Sequence, residues 1–528
     1  MVKKKYFRKK TKECKEKTSS FLKNNKVFTL IFILTTIFFV YENITAVSWD
    51  LSVFNLNAQQ MFSESTYYEV GRPPLASLII GIYGLFFNWA ASEALYVLTV
   101  AILFAYAIYS LSKTLNFEPA VLYAFSMNFY VLNKALSVGT ELLSLALLTI
   151  AVNMILRNNS FSGLFLGLVA LTRYTGLVLF PLAIFHYNIK KIITSLVLFC
   201  AVILSWLIYN FIIFGNMFES IANQYMLNVI NRQDLVSPAN PLHFLEVLNL
   251  LTPFFILGLG VVLTILVKKT VLVLKTKDLE RRKNNLKNLL VEKKAELVVL
   301  VIAIYVTYSY LTTPLKISRY LFFLVLPGIY FSYLGLKSLL EKYKLEKYAV
   351  KVSLVIFLTS LLIFLTFFAG FEKPDKYEEG ISLLDEYNLN ECYVESNAWP
   401  IINQLGKQAS PPPRQEYVED SIEEGKLLLL FKDSREPDYV QDKEFINNLP
   451  VIHENKDLYL IGKESCKAEE PYHKSYIEQF NQHMLKANGY EINTNPCFII
   501  FKDKLFLEQA CNLLNNKGFK KDENRAIN

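Results

Sequence analysis

The sequence predicts a multi-pass α-helical membrane protein, with about eleven transmembrane helices, that carries a C-terminal extracytoplasmic α/β domain. Three observations point there. Of the 528 residues, 53% are apolar and only 19% charged, with a mean hydropathy of +0.28, whereas soluble chains carry about 25% charged residues. The apolar residues fall in a series of long runs separated by short loops, which is the pattern of membrane spans. Charge is split as unevenly as hydropathy: residues 371–528 hold 19 basic against 29 acidic side chains, a balance of −10, which leaves +18 on the rest of a chain whose net charge is +8. A uniformly basic nucleic-acid binder would not divide in this way, so no nucleic-acid partner is expected.

In order along the chain, residues 1–26 form a cytoplasmic basic tail, MVKKKYFRKKTKECKEKTSSFLKNNK, and residues 27–370 a transmembrane domain. The first apolar run, to about Val47, lacks a small-residue cleavage site and reads as a signal anchor. Further runs occupy about 94–112, 119–136, 141–156, 162–172, 174–187, 192–214, 242–266, 298–313, 320–336 and 352–370. Two interfacial helices are expected, at about 51–63 and 74–90. The second begins at Pro73-Pro74, contains Gly81 and Gly84, and is shorter than the ~20 residues a span needs. Leaving it out of the span count puts Lys113, Arg157, Lys190-Lys191, the Lys-rich stretch Lys268–Lys294 and Lys337–Lys351 on the cytoplasmic side with the N-terminus. The C-terminal domain then lies outside the cell membrane.

Segments 162–172 and 174–187 admit two readings, a tight hairpin or one span with Arg173 at its middle. The hairpin leaves Arg157 and Lys190 on the same side and presents Arg173 outside, which favours it. From 371 to 528 the composition becomes that of a soluble domain. Helix-like and strand-like pieces follow one another there: ISLLDEYNL, CYVESNAW, PIINQLG, KLLLLFKD, DLYLIGK and CFIIFKDK. Apolar runs bounded by turn signals and separated by amphipathic stretches make a small α/β domain.

Function is sought among ionisable groups at the membrane boundary, where a charge is costly without a role or a partner. Trp49-Asp50 follows the first span, and an Asp there could simply cap the interfacial helix. Arg72, ahead of Pro73-Pro74-Leu75, is placed to hold a phosphate bidentately or to snorkel to the headgroups. Glu141 opens a span, where a carboxylate is favourable in any case. Arg173 in ALTRYTG joins Lys316 and Arg319 in PLKISRYLFFLVLP, cations that would repel one another unless an anion lies between them. A lipid phosphate is the anion that suits this place. Two carboxylates with three or four cations on one face fit transfer from a phosphate-linked lipid donor: a carboxylate takes the acceptor proton and the cations stabilise the leaving phosphate.

This ordered series resembles the GT-C superfamily of polytopic glycosyltransferases, in particular the protein O-mannosyltransferase and lipid A aminoarabinose transferase group. The resemblance spans about 48–337 and runs through Asp50, Arg72–Leu75, Glu141, LTRYTGLVLFPLA (Leu171–Ala183), WLIYNFIIFGNMFES (Trp206–Ser220) and the SRY to LP segment (Ser318–Pro327). It implies a polyprenyl (dolichyl)-phosphate sugar donor, an outward-facing site and an acceptor that is a glycan, a lipid or a protein. By motif position Asp50 is the catalytic base and Glu141 supports it or organises the acceptor. Arg72, Arg173, Lys316 and Arg319 hold the donor phosphate. The first loop carries one acid rather than the paired Asp-Glu of the protein mannosyltransferases. The outer domain offers Asn397-Ala398-Trp399-Pro400 in place of the WWD-type motif of oligosaccharyltransferases.

No cofactor is required by this pattern, and a divalent metal is compatible with it but not indicated; His243 and His453 are isolated. Cys392, Cys466, Cys497 and Cys511 lie in the outer domain, where oxidation is open to them. Four cysteines allow three pairings, and buried free thiols are the alternative. The rival function from another class is a polytopic transporter or flippase of a lipid-linked or anionic substrate. Transporters show repeated halves and charges near the midplane, and neither is found here.

Overall fold

The computed structural model describes residues 25–63, 69–136, 139–225, 238–276, 278–313, 316–367, 375–433, 437–463 and 466. The basic tail before residue 25, Tyr67-Tyr68, the segment CFIIFKDK, Cys14, Cys497 and Cys511 lie outside the described residues. Among the described residues, seven helical segments are long and apolar enough to cross a membrane: Lys26–Thr45, Trp89–Leu115, Ile189–Phe214, Pro241–Leu274, Lys294–Thr312, Ser318–Lys342 and Glu346–Phe367. Four shorter apolar helices, Leu75–Gly84, Glu141–Leu156, Ser162–Thr172 and Tyr174–His186, accompany them. This is a polytopic membrane protein, and the eleven segments agree with the span arithmetic if Leu75–Gly84 is set aside and the run at 119–136 is added. That run is broken at Met127-Asn128, where Asn128 caps the helix Phe129–Lys134 by accepting from the Val131 N–H at 3.1 Å.

Local chemistry sets the helix boundaries around the first loop. The span Lys26–Thr45 is about 30 Å long at 1.5 Å per residue, a hydrocarbon thickness. It ends on extended Ala46, and Ser48 caps the next helix, Trp49–Phe62, by accepting from the Leu51 N–H. The helix Leu75–Gly84 opens after Pro74 and has ten residues, about 15 Å, half of what a crossing needs. Asn88 then caps Trp89–Leu115 through the Ala91 N–H.

The segments 162–172 and 174–186 form a hairpin. Arg173 is extended between them, and Ser162 Oγ lies 2.7 Å from His186 Nε2, so the far ends of the two segments touch. Gly176 sits where a Cβ would stand 2.7 Å from the Val169 side chain, and its bareness lets the arms close. The second arm is a 3-10 run containing Pro181, which has no N–H to give to an α-helical ladder. One continuous span through Arg173 is therefore excluded.

The C-terminal region holds a five-stranded sheet in the order β2-β1-β3-β5-β4. The strands are β1 (Val394–Ser396), β2 (Ala409–Ser410), β3 (Leu427–Phe431), β4 (Val451–Glu454) and β5 (Leu458–Ile461). β1 runs parallel to β2 and β3, and β5 antiparallel to β3 and β4. β3 is central and buried on both faces, which is why it reads as LLLLF without alternation. Its Leu427, Leu429 and Phe431 pack on one side with Trp399, Ile402, and Val53 and Leu56 of the helix Trp49–Phe62. Leu428 and Leu430 pack on the other with Val418, Ile422 and Tyr439. The sheet's core thus runs into the first-loop helix, and a disulfide joins Cys392 to Cys466 with Cα atoms 5.5 Å apart. The helices at Asp375–Glu386 and Trp399–Gln404 and the strands β1, β3 and β5 fall on five of the six pieces read from the sequence. β2 and β4 were not readable, one being two residues long and the other half-exposed.

Candidate active site

Four segments meet at one end of the bundle. The helix Trp49–Phe62 presents Asp50 in its first turn. Since Ser48 is the cap, Asp50 is not needed there, and its carboxylate turns to two guanidiniums instead. Arg72 Nη1 donates to Oδ1 at 2.6 Å and Arg319 Nη1 to Oδ2 at 2.9 Å. Ser48 and not Asp50 caps the helix, and Arg72 is held by two carboxylates.

Each arginine is fixed by a different device. Arg72 also donates from Nε to Glu69 at 3.1 Å and lies over the rings of Trp49 and Phe54, 5.4 and 5.6 Å from their centroids. Asn57 in turn holds the Glu69 backbone from both sides, donating to its carbonyl at 3.0 Å and accepting from its N–H at 2.8 Å. Arg319 sits at the start of the 3-10 segment Ser318–Leu324, which Tyr130 anchors by donating to the Ser318 carbonyl at 2.8 Å. The Arg319 side chain is 32% exposed against 12% for Arg72. Its Nε is buried with no hydrogen-bond acceptor.

Electrostatics keep this cluster ionised. Burial pushes the Asp50 carboxyl up, but Arg72 and Arg319 outweigh it and hold its pKa below the ordinary carboxylate value. Burial works against the Arg72 charge too, and Glu69 and Asp50 more than restore it.

A second pair lies beside the first. Glu141 is fully buried at the start of the helix Glu141–Leu156 and is bound by Arg173 at the hairpin tip. Thr140 donates to the other Glu141 oxygen at 3.3 Å. Tyr96 donates to the carbonyl of Gly139, whose φ of +84° suits a residue without a Cβ. The structure therefore brings together Asp50, Arg72 and Arg319, and separately Glu141 and Arg173. Lys316 Nζ turns back on the Thr313 carbonyl. The anions that lie among the arginines are the protein's own: Asp50 is shared by Arg72 and Arg319, Glu69 also meets Arg72, and Glu141 meets Arg173.

Sequence reasoning missed a third buried acid. Glu93, the fifth residue of the helix Trp89–Leu115, accepts from Asn43 at 2.7 Å, Asn55 at 2.8 Å and Gln404 at 3.0 Å. Gln404 also accepts from Ser52, and Trp399 meets Trp49 edge to face at 5.3 Å. Glu93 thereby ties the first span, the Asp50 helix and the C-terminal domain together. Its signal was an acid inside an otherwise apolar helix. Among the described residues no three His, Cys, Asp or Glu side chains come together as a metal site would require.

The apolar helices and the charges clustered near their ends define the class: a polytopic membrane protein. The crystal structure of ArnT from Cupriavidus metallidurans bound to undecaprenyl phosphate is similar to this chain with a TM-score of 0.53 at 11% identity, over 83% of this chain and 98% of that one. The apo state of the same protein gives 0.50 at 10% identity, over 82% and 96%. The likeness at this identity is one of fold, and it extends over nearly the whole of that protein. No family model matches the chain, and no curated protein does.

Proposed function

We propose that the chain is a membrane glycosyltransferase that moves a sugar from a polyprenyl (dolichyl)-phosphate donor to an extracytoplasmic acceptor. The observation that carries this reading is the single carboxylate of Asp50 gripped by Arg72 and Arg319 at one end of a GT-C-fold bundle. A fold neighbour whose crystal structure holds undecaprenyl phosphate supports the choice of donor. The placing of Asp50 and Glu141 in the first turns of their helices, rather than at mid-bundle, speaks for this reading over a transporter.

In this account Asp50 is the general base that receives the acceptor proton, and Arg72 and Arg319 bind the donor phosphate and stabilise it as it leaves. Arg173 and Lys316 complete the phosphate surroundings, with Glu141 holding Arg173 in position. The acceptor is a glycan, a lipid or a protein, reached from the outer face, where the C-terminal domain sits beside Trp49.

The test is transfer of radiolabel from a polyprenyl-phosphate sugar in proteoliposomes, with membrane extract as acceptor. Label should move with wild type and not with Asp50→Asn. Equal transfer by the variant removes Asp50 as the base, and no transfer by folded wild type across several sugars removes the enzyme reading.

A further inference from the structure

Asp50 and the donor phosphate have need of the same cations. Both carboxylate oxygens of Asp50 are already bonded, one to each arginine. A phosphate that enters must share or displace these bonds. The two arginines are unequal in their freedom to move. Arg72 is tied by Glu69 and by two aromatic faces, so leaving Asp50 would cost it a buried arrangement. Arg319 is more exposed, forms its one ion pair among the described residues with Asp50, and carries a buried Nε–H without an acceptor. An unmet charged donor of this kind is costly and favours an arrangement that supplies an acceptor oxygen.

We propose that Arg319 is an exchanging cation: it covers Asp50 while the donor is absent and moves to the donor phosphate when it binds, freeing one Asp50 oxygen to take the acceptor proton. This rests on the glycosyltransferase reading. The donor then switches on its own base, so binding is ordered with the donor first.

The charges balance through the step. Before transfer the two guanidiniums face one carboxylate and one phosphodiester, each carrying a single negative charge. The acceptor oxygen or nitrogen forms its bond to the anomeric carbon, the bond from that carbon to the phosphate oxygen breaks, and its electron pair stays on the phosphate. The acceptor proton goes to Asp50. Afterwards Asp50 is neutral and the polyprenyl phosphate is a monoester whose second ionisation, with a pKa near 6, leaves it largely dianionic at neutral pH. The arginine pair thus meets two negative charges at both ends of the reaction, and what changes is where they lie. Because the protonated acid no longer competes, Arg319 is fully available to the leaving group at the moment its charge grows.

The exchange makes a prediction opposite to that for a simple binding residue. Undecaprenyl phosphate is the probe, and its affinity for the detergent-purified full chain is measured. Asp50→Asn should bind it more tightly than wild type, by roughly tenfold for the loss of one close competing charge, and Asp50→Ser should move in the same direction. In the Arg319→Ala background the Asp50→Asn gain should vanish. Binding by Asp50→Asn equal to or weaker than wild type, or a gain that persists without Arg319, overturns the exchange while leaving the phosphate site in place. No binding by any form overturns the phosphate reading and the exchange together.

Discussion

The site end of the helical bundle carries few basic residues and the other end many, and the site arginines are handled differently from the most exposed cations at the other end. At the site end Arg72, Arg173 and Arg319 are all bonded to carboxylates that are largely or wholly withdrawn from solvent. At the other end Arg281 faces Asp278 at 3.6 Å with the side chains 82% and 53% exposed, and Lys337 faces Glu341 at 3.8 Å at similar exposure. Exposed pairs of this kind contribute little, because water screens them and two long side chains must be held still. A buried pair differs less in what it adds than in what its breaking costs. Charge count at a membrane boundary is therefore a poor guide to function, and burial with a dedicated partner is a better one.

The largest effect should come from Asp50→Asn. Transfer falls by roughly 10²–10⁴-fold, the worth of a positioned general base, measured on protein shown to be folded in detergent, since the change also removes the anion that two arginines share. A matching loss from Arg281→Ala would break the contrast between the two ends. Next is Arg173→Ala, which leaves Glu141 buried without its cation and should cost about 3–5 kcal/mol of stability. The double change Glu141→Gln with Arg173→Gln should recover much of it in a thermal unfolding assay. An undiminished melting point for Arg173→Ala would place Glu141 in contact with water and remove the buried pair.

Smaller effects sharpen the comparison within the C-terminal domain. Gln404→Ala withdraws one donor from Glu93 and the acceptor of Ser52, a loss of about 1–3 kcal/mol for buried groups left unmet. Faster amide exchange in Trp399–Gln404 and in Trp49–Phe62 together would show it, whereas exchange confined to one helix would contradict the tie.

Glu395 on β1 is a buried acid whose cation, Lys426, is 3.6 Å away and whose closest partner is the Ser421 hydroxyl at 2.5 Å. Burial raises its pKa, and Lys426 and Ser421 offset this only in part. With a folded-state pKa above the unfolded one, ionisation disfavours the fold. Wild-type stability should then fall, relative to Glu395→Gln, as pH rises from the unfolded to the folded pKa. Parallel stability curves for the two proteins would refute this. Arg281→Ala should change neither transfer nor melting.

Much of this was legible in the chain. The apolar runs located the membrane helices, since a span has only one composition that lipid accepts, and the short Pro73 to Ala90 segment disclosed itself by length. The members of the site were visible as ionisable residues at the ends of those runs. Their partners were not, because Asp50 meets Arg72 across 22 positions and Arg319 across 269, and only the packing of the bundle decides such meetings. That packing also hid the role of Gln404, an ordinary amide in the sequence, 311 positions from the buried carboxylate it serves.

The central claim is that the site-end arginines hold the donor phosphate. It is tested most directly by donor saturation curves, at fixed acceptor, for wild type, Arg72→Ala, Arg319→Ala and Arg281→Ala in proteoliposomes. The account predicts a donor KM raised by roughly tenfold or more in the first two variants, an unchanged acceptor KM, and wild-type behaviour from Arg281→Ala. A donor KM that stays at the wild-type value in both Arg72→Ala and Arg319→Ala would contradict it.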